Sequence, residues 1–174
     1  MKVTYISHSG FLIETKNCLF LFDYYEGKIP PLSQEKPLFI FVSHWHSDHF
    51  NPEIFSIRHE KVHYILSHDT RKHLPAGISP ENLCFMKPEE KLDFTLEDGN
   101  EHFTVETLKS TDCGVAFLIY YRRKYLYHAG DLNWWVWQGE TKQYNSNMTA
   151  NFLHYTKPLE NLDIWAAFLG VGAP

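Results

Sequence analysis

At 174 residues, with 44% hydrophobic and 16% aromatic content, the chain carries enough apolar material for one packed domain spanning 1–174, and a domain of this size takes about 70% of its unfolded surface out of water. Its 16 basic and 21 acidic residues leave a formal charge of −5, which argues against a broad nucleic-acid footprint. No apolar run approaches the roughly 18 residues of a membrane span, and Met1-Lys2 leads into an ordinary strand pattern rather than a signal peptide, so a cytoplasmic domain is expected.

Ser9-Gly10 and Lys16-Asn17 divide the first stretch into short strand-like pieces, Val3 to His8, Phe11 to Thr15 and Cys18 to Asp23, the pattern of a β meander. Tyr24 to Lys36, with Gly27 and Pro30-Pro31, reads as a loop. Leu38 to Val42 is a continuous apolar run, hence a strand buried on both faces. Asn51-Pro52-Glu53 has the cap, the first-turn proline and the acid of a helix start. Val62 to Ser67 is a further strand and Asp69 to Leu74 a short helix. Five strands are expected next, at Leu83 to Met86, Lys91 to Leu96, His102 to Leu108, Val115 to Tyr121 and Tyr125 to Tyr127, with Arg122-Arg123-Lys124 as a solvated hairpin turn. Tyr144, Met148, Phe152 and Tyr155 mark one face of a helix from about Glu140 to Tyr155, and Ile164 to Leu169 is a last strand. Cys18, Cys84 and Cys113 are odd in number and scattered, which suits buried thiols in a reducing compartment and not a cysteine zinc site. Pattern alone gives a mixed α/β chain.

The chemistry concentrates in His44-Trp45-His46-Ser47-Asp48-His49, directly after the buried strand at Leu38 to Val42. At this histidine and aspartate content, a His-x-His-x-Asp-His string is expected by chance about 0.002 times per chain. Neutral imidazole and carboxylate suit zinc and similar divalent ions. Residues i and i+2 of an extended segment point the same way, so His44 and His46 can converge on one ion, while Asp48 and His49, past a tight bend, reach towards a second.

This motif after a hydrophobic strand resembles the signature of the metallo-β-lactamase-fold hydrolases. The opening meander and Gly130-Asp131 after the strand Tyr125-Leu126-Tyr127 fit the same superfamily. The chain looks most like an uncharacterised bacterial branch of metal-dependent hydrolases, through Ser110-Thr111-Asp112-x-Gly114-Val115 and Gly130-Asp131-Leu132-Asn133-Trp134-Trp135. The resemblance implies an α/β fold, the four-layer αββα sandwich. It implies that His44 and His46 hold one divalent ion, that Asp48 and His49 hold another, and that Asp131 bridges them. Read alone, Asp131 is equally a turn aspartate after Gly130. The cofactor implied is zinc, or manganese, as one or two ions. The activity implied is attack by metal-bound hydroxide on a small ester, lactone, amide or phosphodiester, with Asp48 as the catalytic carboxylate.

Two departures from the superfamily pattern matter. The third histidine of the first ion is missing from the matching stretch Leu108 to Gly114. Asp112 is the substitute expected there, with a turn in which it bonds backbone amides as the alternative, and Ser110 or Thr111 could hold a water instead. No histidine follows His154, so the sandwich is expected to lack its C-terminal part and the second ion its usual last ligand.

His8, at a turn of the meander, is a candidate for substrate contact or for a substitute ligand. Alternation places His128 and Asp131 on opposite faces of their segment, and His128 and His68 read more readily as surface or core histidines. Asn133, Trp134 and Glu140 are the remaining candidates for substrate binding, as part of an aromatic wall after Asp131 that reads more readily as a staple for the following helix. The expected partner is a small-molecule substrate, with no membrane and no nucleic acid, and an open sheet edge would favour a homo-oligomer. A nuclease of the same fold and a non-catalytic binding module with an incomplete site are the competing readings.

Overall fold

The computed structural model describes residues 1–78, 82–96, 99 and 101–170. Two sheets lie face to face. The first has the order β1-β2-β3-β4-β5-β6, built from β1 (Lys2–Ser7), β2 (Gly10–Glu14), β3 (Leu19–Phe22), β4 (Leu38–Val42), β5 (Val62–Ser67) and β6 (Leu83–Met86). Its first three strands form the expected antiparallel meander, and β3 to β6 run parallel. The second sheet has the order β11-β10-β9-β8-β7, from β7 (Lys91–Thr95), β8 (His102–Lys109), β9 (Val115–Tyr121), β10 (Lys124–His128) and β11 (Ile164–Phe168). Arg122 and Arg123 turn the β9–β10 hairpin, both at positive φ, as a two-residue hairpin loop demands.

The period-2 alternation of the strands assigns the core. Phe20 and Phe22 of β3, with Phe39 and Phe41 of the neighbouring β4, face the second sheet, where they meet Phe103 of β8 and Phe117 of β9. Leu19 and Leu21 face the other way, with Leu38, Ile40 and Val42, and pack on Phe50 and Ile54. Both faces of β3 and β4 are therefore buried, as their unbroken apolar runs require. On the far side of the second sheet, Leu118, Tyr127 and Leu132 pack against Phe152 and Tyr155 of α1 (Lys142–Thr156), which Thr141 caps through Tyr144 N.

The layers are those of the αββα sandwich, but the outer layers are unequal. The helices expected at Asn51-Pro52-Glu53 and at Asp69 to Leu74 are short 3₁₀ helices, Pro52–Ser56 and His68–His73. Asn51 caps the first through Glu53 N, yet the chain is already extended at Ile57. The cap signals were present; a continuing apolar face was not, and without one a helix does not propagate. Residues 171–174, which follow the last strand and bear on the expected loss of the C-terminal part, lie outside the described residues. Among the described residues, no helix is long and apolar enough to cross a membrane.

Candidate metal centre

The strands deliver the expected ligands to one end of the sandwich. His44 and His46 follow the carboxyl end of β4, Asp112 follows β8, Asp131 follows β10 and His8 follows β1. Past His46 the chain bends sharply: His49 N and Phe50 N both donate to His46 O, at 3.0 and 2.9 Å. This bend returns Asp48 and His49 to the histidines that precede them. Two glycines permit the close approach of the other loops. A Cβ on Gly114 would lie 2.0 Å from Ser43 O, and one on Gly130 would lie 2.6 Å from Ser43 Oγ; both residues have positive φ.

Two groups of ligand atoms result, each within 4.8 Å internally: His44, His46, Asp112 and Asp131, and beside them His8, Asp48 and His49. Asp131 stands between them, with Oδ2 3.5 Å from His44 Nε2 and Oδ1 3.3 Å from His49 Nε2. His46 Nδ1 is 3.7 Å from Asp112 Oδ2, and His8 Nε2 is 3.3 Å from Asp48 Oδ2. These spacings are long for charge-assisted hydrogen bonds. They suit a shared ion: two ligand atoms bonded at 2.0–2.1 Å in a tetrahedral shell lie roughly 3.3 Å apart. The buried His44 Nε2 has no hydrogen-bond partner, so its lone pair points unsatisfied into the cluster. Nitrogen and carboxylate donors without sulfur suit zinc, manganese or iron alike.

A second set of residues holds the first in place, and its centre, Asp23, escaped the sequence reading. Asp23 follows β3 and is completely buried. Its Oδ1 accepts from Ser43 N at 2.7 Å, and its Oδ2 accepts from Ser43 Oγ at 2.6 Å, His49 Nδ1 at 2.8 Å and His128 Nε2 at 2.8 Å. With its own proton on Asp23, Ser43 Oγ accepts from His44 Nδ1 at 3.0 Å. Both His44 and His49 thus carry a proton on Nδ1 and turn Nε2 towards the cluster, the usual way a carboxylate orients a metal-binding imidazole. His128 joins this network through Nε2 and stacks on Phe22. The available signal for Asp23 was an acid ending the apolar run Leu19 to Phe22, in parallel with Ser43 ending Leu38 to Val42.

The titration behaviour follows the same geometry. Burial pushes the His44 imidazole below its ordinary value, and the adjacent His49 adds to the shift. Burial opposes a charge on His49, but the Asp131 and Asp23 carboxylates that face it raise it to about 10. Burial likewise works against ionised Asp23 and Asp131, yet their histidine partners hold both carboxyls below the usual range. An incoming ion at His49 Nε2 therefore has a proton to displace.

Asp112 is placed by a turn in which its own N–H donates to Ser110 Oγ at 3.1 Å. Thr111 Oγ1 is engaged with Asn133, donating to its carbonyl at 2.6 Å and accepting its N–H at 3.0 Å. The hydroxyls considered as water holders are thus used to fasten loops, and the Asp112 carboxylate faces His46. A cavity of about 370 Å³ opens on Asp131, His8 and Gly130 and is walled by Trp135. Of the other residues considered for substrate contact, Asn133 Nδ2 donates to Gly170 O and Trp134 Nε1 to Thr149 Oγ1 of α1. Those two tie the loop to its neighbours, Glu140 is exposed, and it is Trp135 that faces the cavity.

The two-sheet sandwich with this histidine–aspartate cluster at the strand ends is a fold of the metallo-β-lactamase type. More particularly, the chain is 29% identical over 146 residues to a UPF0173 metal-dependent hydrolase of Opitutus terrae, a match covering 75% of the chain and 63% of that relative. No family model matches it. Among solved structures it is similar to a Parabacteroides distasonis protein named as a metal-dependent hydrolase, with a TM-score of 0.55 at 14% identity over 96% of this chain and 92% of that one. It is also similar to Igni18, a metallo hydrolase of Ignicoccus hospitalis, with a TM-score of 0.52 at 17% identity over 74% of this chain and 59% of that one.

Proposed function

We propose that the chain is a metal-dependent hydrolase acting on a small ester, lactone, amide or phosphodiester, with zinc or manganese as its metal. The observation that carries this is the buried, unpartnered His44 Nε2 aimed at Asp131. A buried polar atom without a partner costs about 1–3 kcal/mol, and a bound ion would remove that cost. His44, His46 and Asp112 would hold one ion, Asp48 and His49 the second, with Asp131 between them and His8 in reach of the second. When bound, divalent ions supply an activated water near neutral pH and polarise the bond under attack. Asp23 fixes the tautomers of His44 and His49, through Ser43 and directly. Asp48, half exposed beside His8, would be the catalytic carboxylate. The relay from Asp23 to two imidazoles favours a working centre over a non-catalytic module, which has no use for two oriented imidazoles.

The test is elemental analysis of protein purified without added metal, repeated after manganese and zinc loading, with His46→Ala alongside. One or two ions per chain in the wild type, lost in the variant while unfolding stays cooperative, is the expected result. A chain that stays empty after loading, or a variant with unchanged metal content, overturns the reading.

A further inference from the structure

The centre opens on two sides, and the two openings share a chemical character. On one side, the 370 Å³ cavity sets Tyr5, Phe11, Trp135 and Phe168 around Asp131 and His8. On the other, a cavity of about 510 Å³ runs from His46 and Asp48 along Trp45, Phe50 and His73. Among the described residues, neither cavity is lined by a lysine or an arginine. Sites for phosphate esters characteristically supply such cations to share the anionic charge. Here three aspartates converge on the centre and offset most of the charge that two divalent ions would bring.

The walls are fixed in place. Trp135 Nε1 donates to the carbonyl of Asp131 at 3.0 Å, and its ring stacks on Trp137 at 6.0 Å, so the indole stands rigidly beside the bridging carboxylate. Trp45 stacks on His73 at 4.6 Å and 9°. Tyr5 and Leu169, at 62% and 63% exposure, continue the first apolar surface outwards to the cavity mouth. Rigid aromatic walls bind apolar groups without first paying to order themselves.

From these walls, and resting on the hydrolase reading above, we infer that the centre selects an uncharged carboxylic ester or amide bearing an apolar or aryl group, and discriminates against phosphodiesters. The apolar group lies against Trp135 and Tyr5, with the scissile carbonyl over Asp131. Hydrolysis then adds water across the acyl bond, giving a carboxylic acid and an alcohol or amine with no further reactant.

The experiment uses the full chain loaded with manganese or zinc and compares p-nitrophenyl acetate, butyrate and octanoate with bis(p-nitrophenyl) phosphate. The expected result is kcat/KM rising with acyl length and at least tenfold higher for the octanoate ester than for the phosphodiester. Tyr5→Ala, at a position 62% exposed, should raise KM for octanoate about 5- to 10-fold, and by more than it raises KM for acetate. Tyr5→Arg should narrow the gap to the phosphodiester. A phosphodiester preference, or acyl-length selectivity untouched at Tyr5, overturns the inference while leaving the hydrolase reading intact. Binding of a non-hydrolysable aryl alkyl ketone, followed by saturation-transfer NMR, needs no turnover. If metal-loaded protein cleaves neither class, the hydrolase reading falls, and contact of the ketone with Trp135 and Tyr5 protons still decides the apolar site.

Discussion

The residues around the centre fall into two regions held in different ways. His44, His49, Ser43, His128 and Asp23 are buried between the sheet ends, and every one of them belongs to a single hydrogen-bonded network. His8, His46, Asp48 and Asp112 sit on turns at the rim, about a third to a half exposed, and face one another at 3.3–3.7 Å. On the proposed reading, the buried region would fix where an ion sits, and the rim would complete its shell and admit substrate. His8 illustrates the rim's cost, since its φ of 48° is one that a non-glycine residue seldom adopts. Damage to the buried region should therefore cost fold and metal together, and damage to the rim should cost metal alone.

The largest effect is expected from Asp23→Ala. Four donors lose their acceptor inside the protein, and loss of a buried charged partner typically costs about 3–5 kcal/mol. Urea unfolding should show a destabilisation of that order together with loss of bound metal. Stability close to wild type would remove Asp23 from the centre of the network. Next comes Asp112→Ala, whose metal affinity, measured by competition with a chromophoric chelator, should fall by a factor of 10 or more while the urea midpoint hardly moves. If affinity is unchanged, Asp112 belongs to its turn alone. His8→Ala should selectively weaken the second of two ions, with stability within about 0.5 kcal/mol of wild type, as befits an exposed position; equal weakening of both ions would contradict the two-group arrangement.

The smallest effects lie away from the centre and serve as controls. At the far end of β9, Glu101 accepts from Arg122 and from the Tyr121 hydroxyl at 2.7 Å. Burial works against its charge, but Arg122 and Tyr121 hold the carboxyl below its ordinary value. The folded pKa is the lower one, so this stabilisation is present above the ordinary carboxylate pKa and is lost as pH falls through the folded value. Arg122→Ala should therefore lower stability at neutral pH by under about 1 kcal/mol, narrowing towards zero in acid, with metal content intact. Cys18 offers a further control: burial pushes its thiol up to about 11, so it should resist alkylation at pH 8 until the chain unfolds, and rapid native labelling would contradict the packing.

Much of this was legible in the chain itself. Strands β3, β4 and β9 are runs of large apolar residues bounded by turn signals, and a strand's period of two leaves few ways to bury them. The six-residue His-x-His-x-Asp-His string is local, so its ligand types and spacing can be read directly. The outer layer over the first sheet was less legible, because Asn51-Pro52-Glu53 announces a helix start that only downstream packing can continue, and here the chain turns extended after one turn.

What the sequence determined by itself is the core of the two sheets and the identity of the candidate ligands in the motif, since both depend on residues close together in the chain. Tertiary structure alone decided that Asp23 is the common acceptor for Ser43, His49 and His128, the last of them 105 residues away. It also decided that Trp135, and not Trp134 or Glu140, walls the cavity. Such pairings depend on which strand ends become neighbours, and that is fixed by the packing of the two sheets and not by any spacing along the chain.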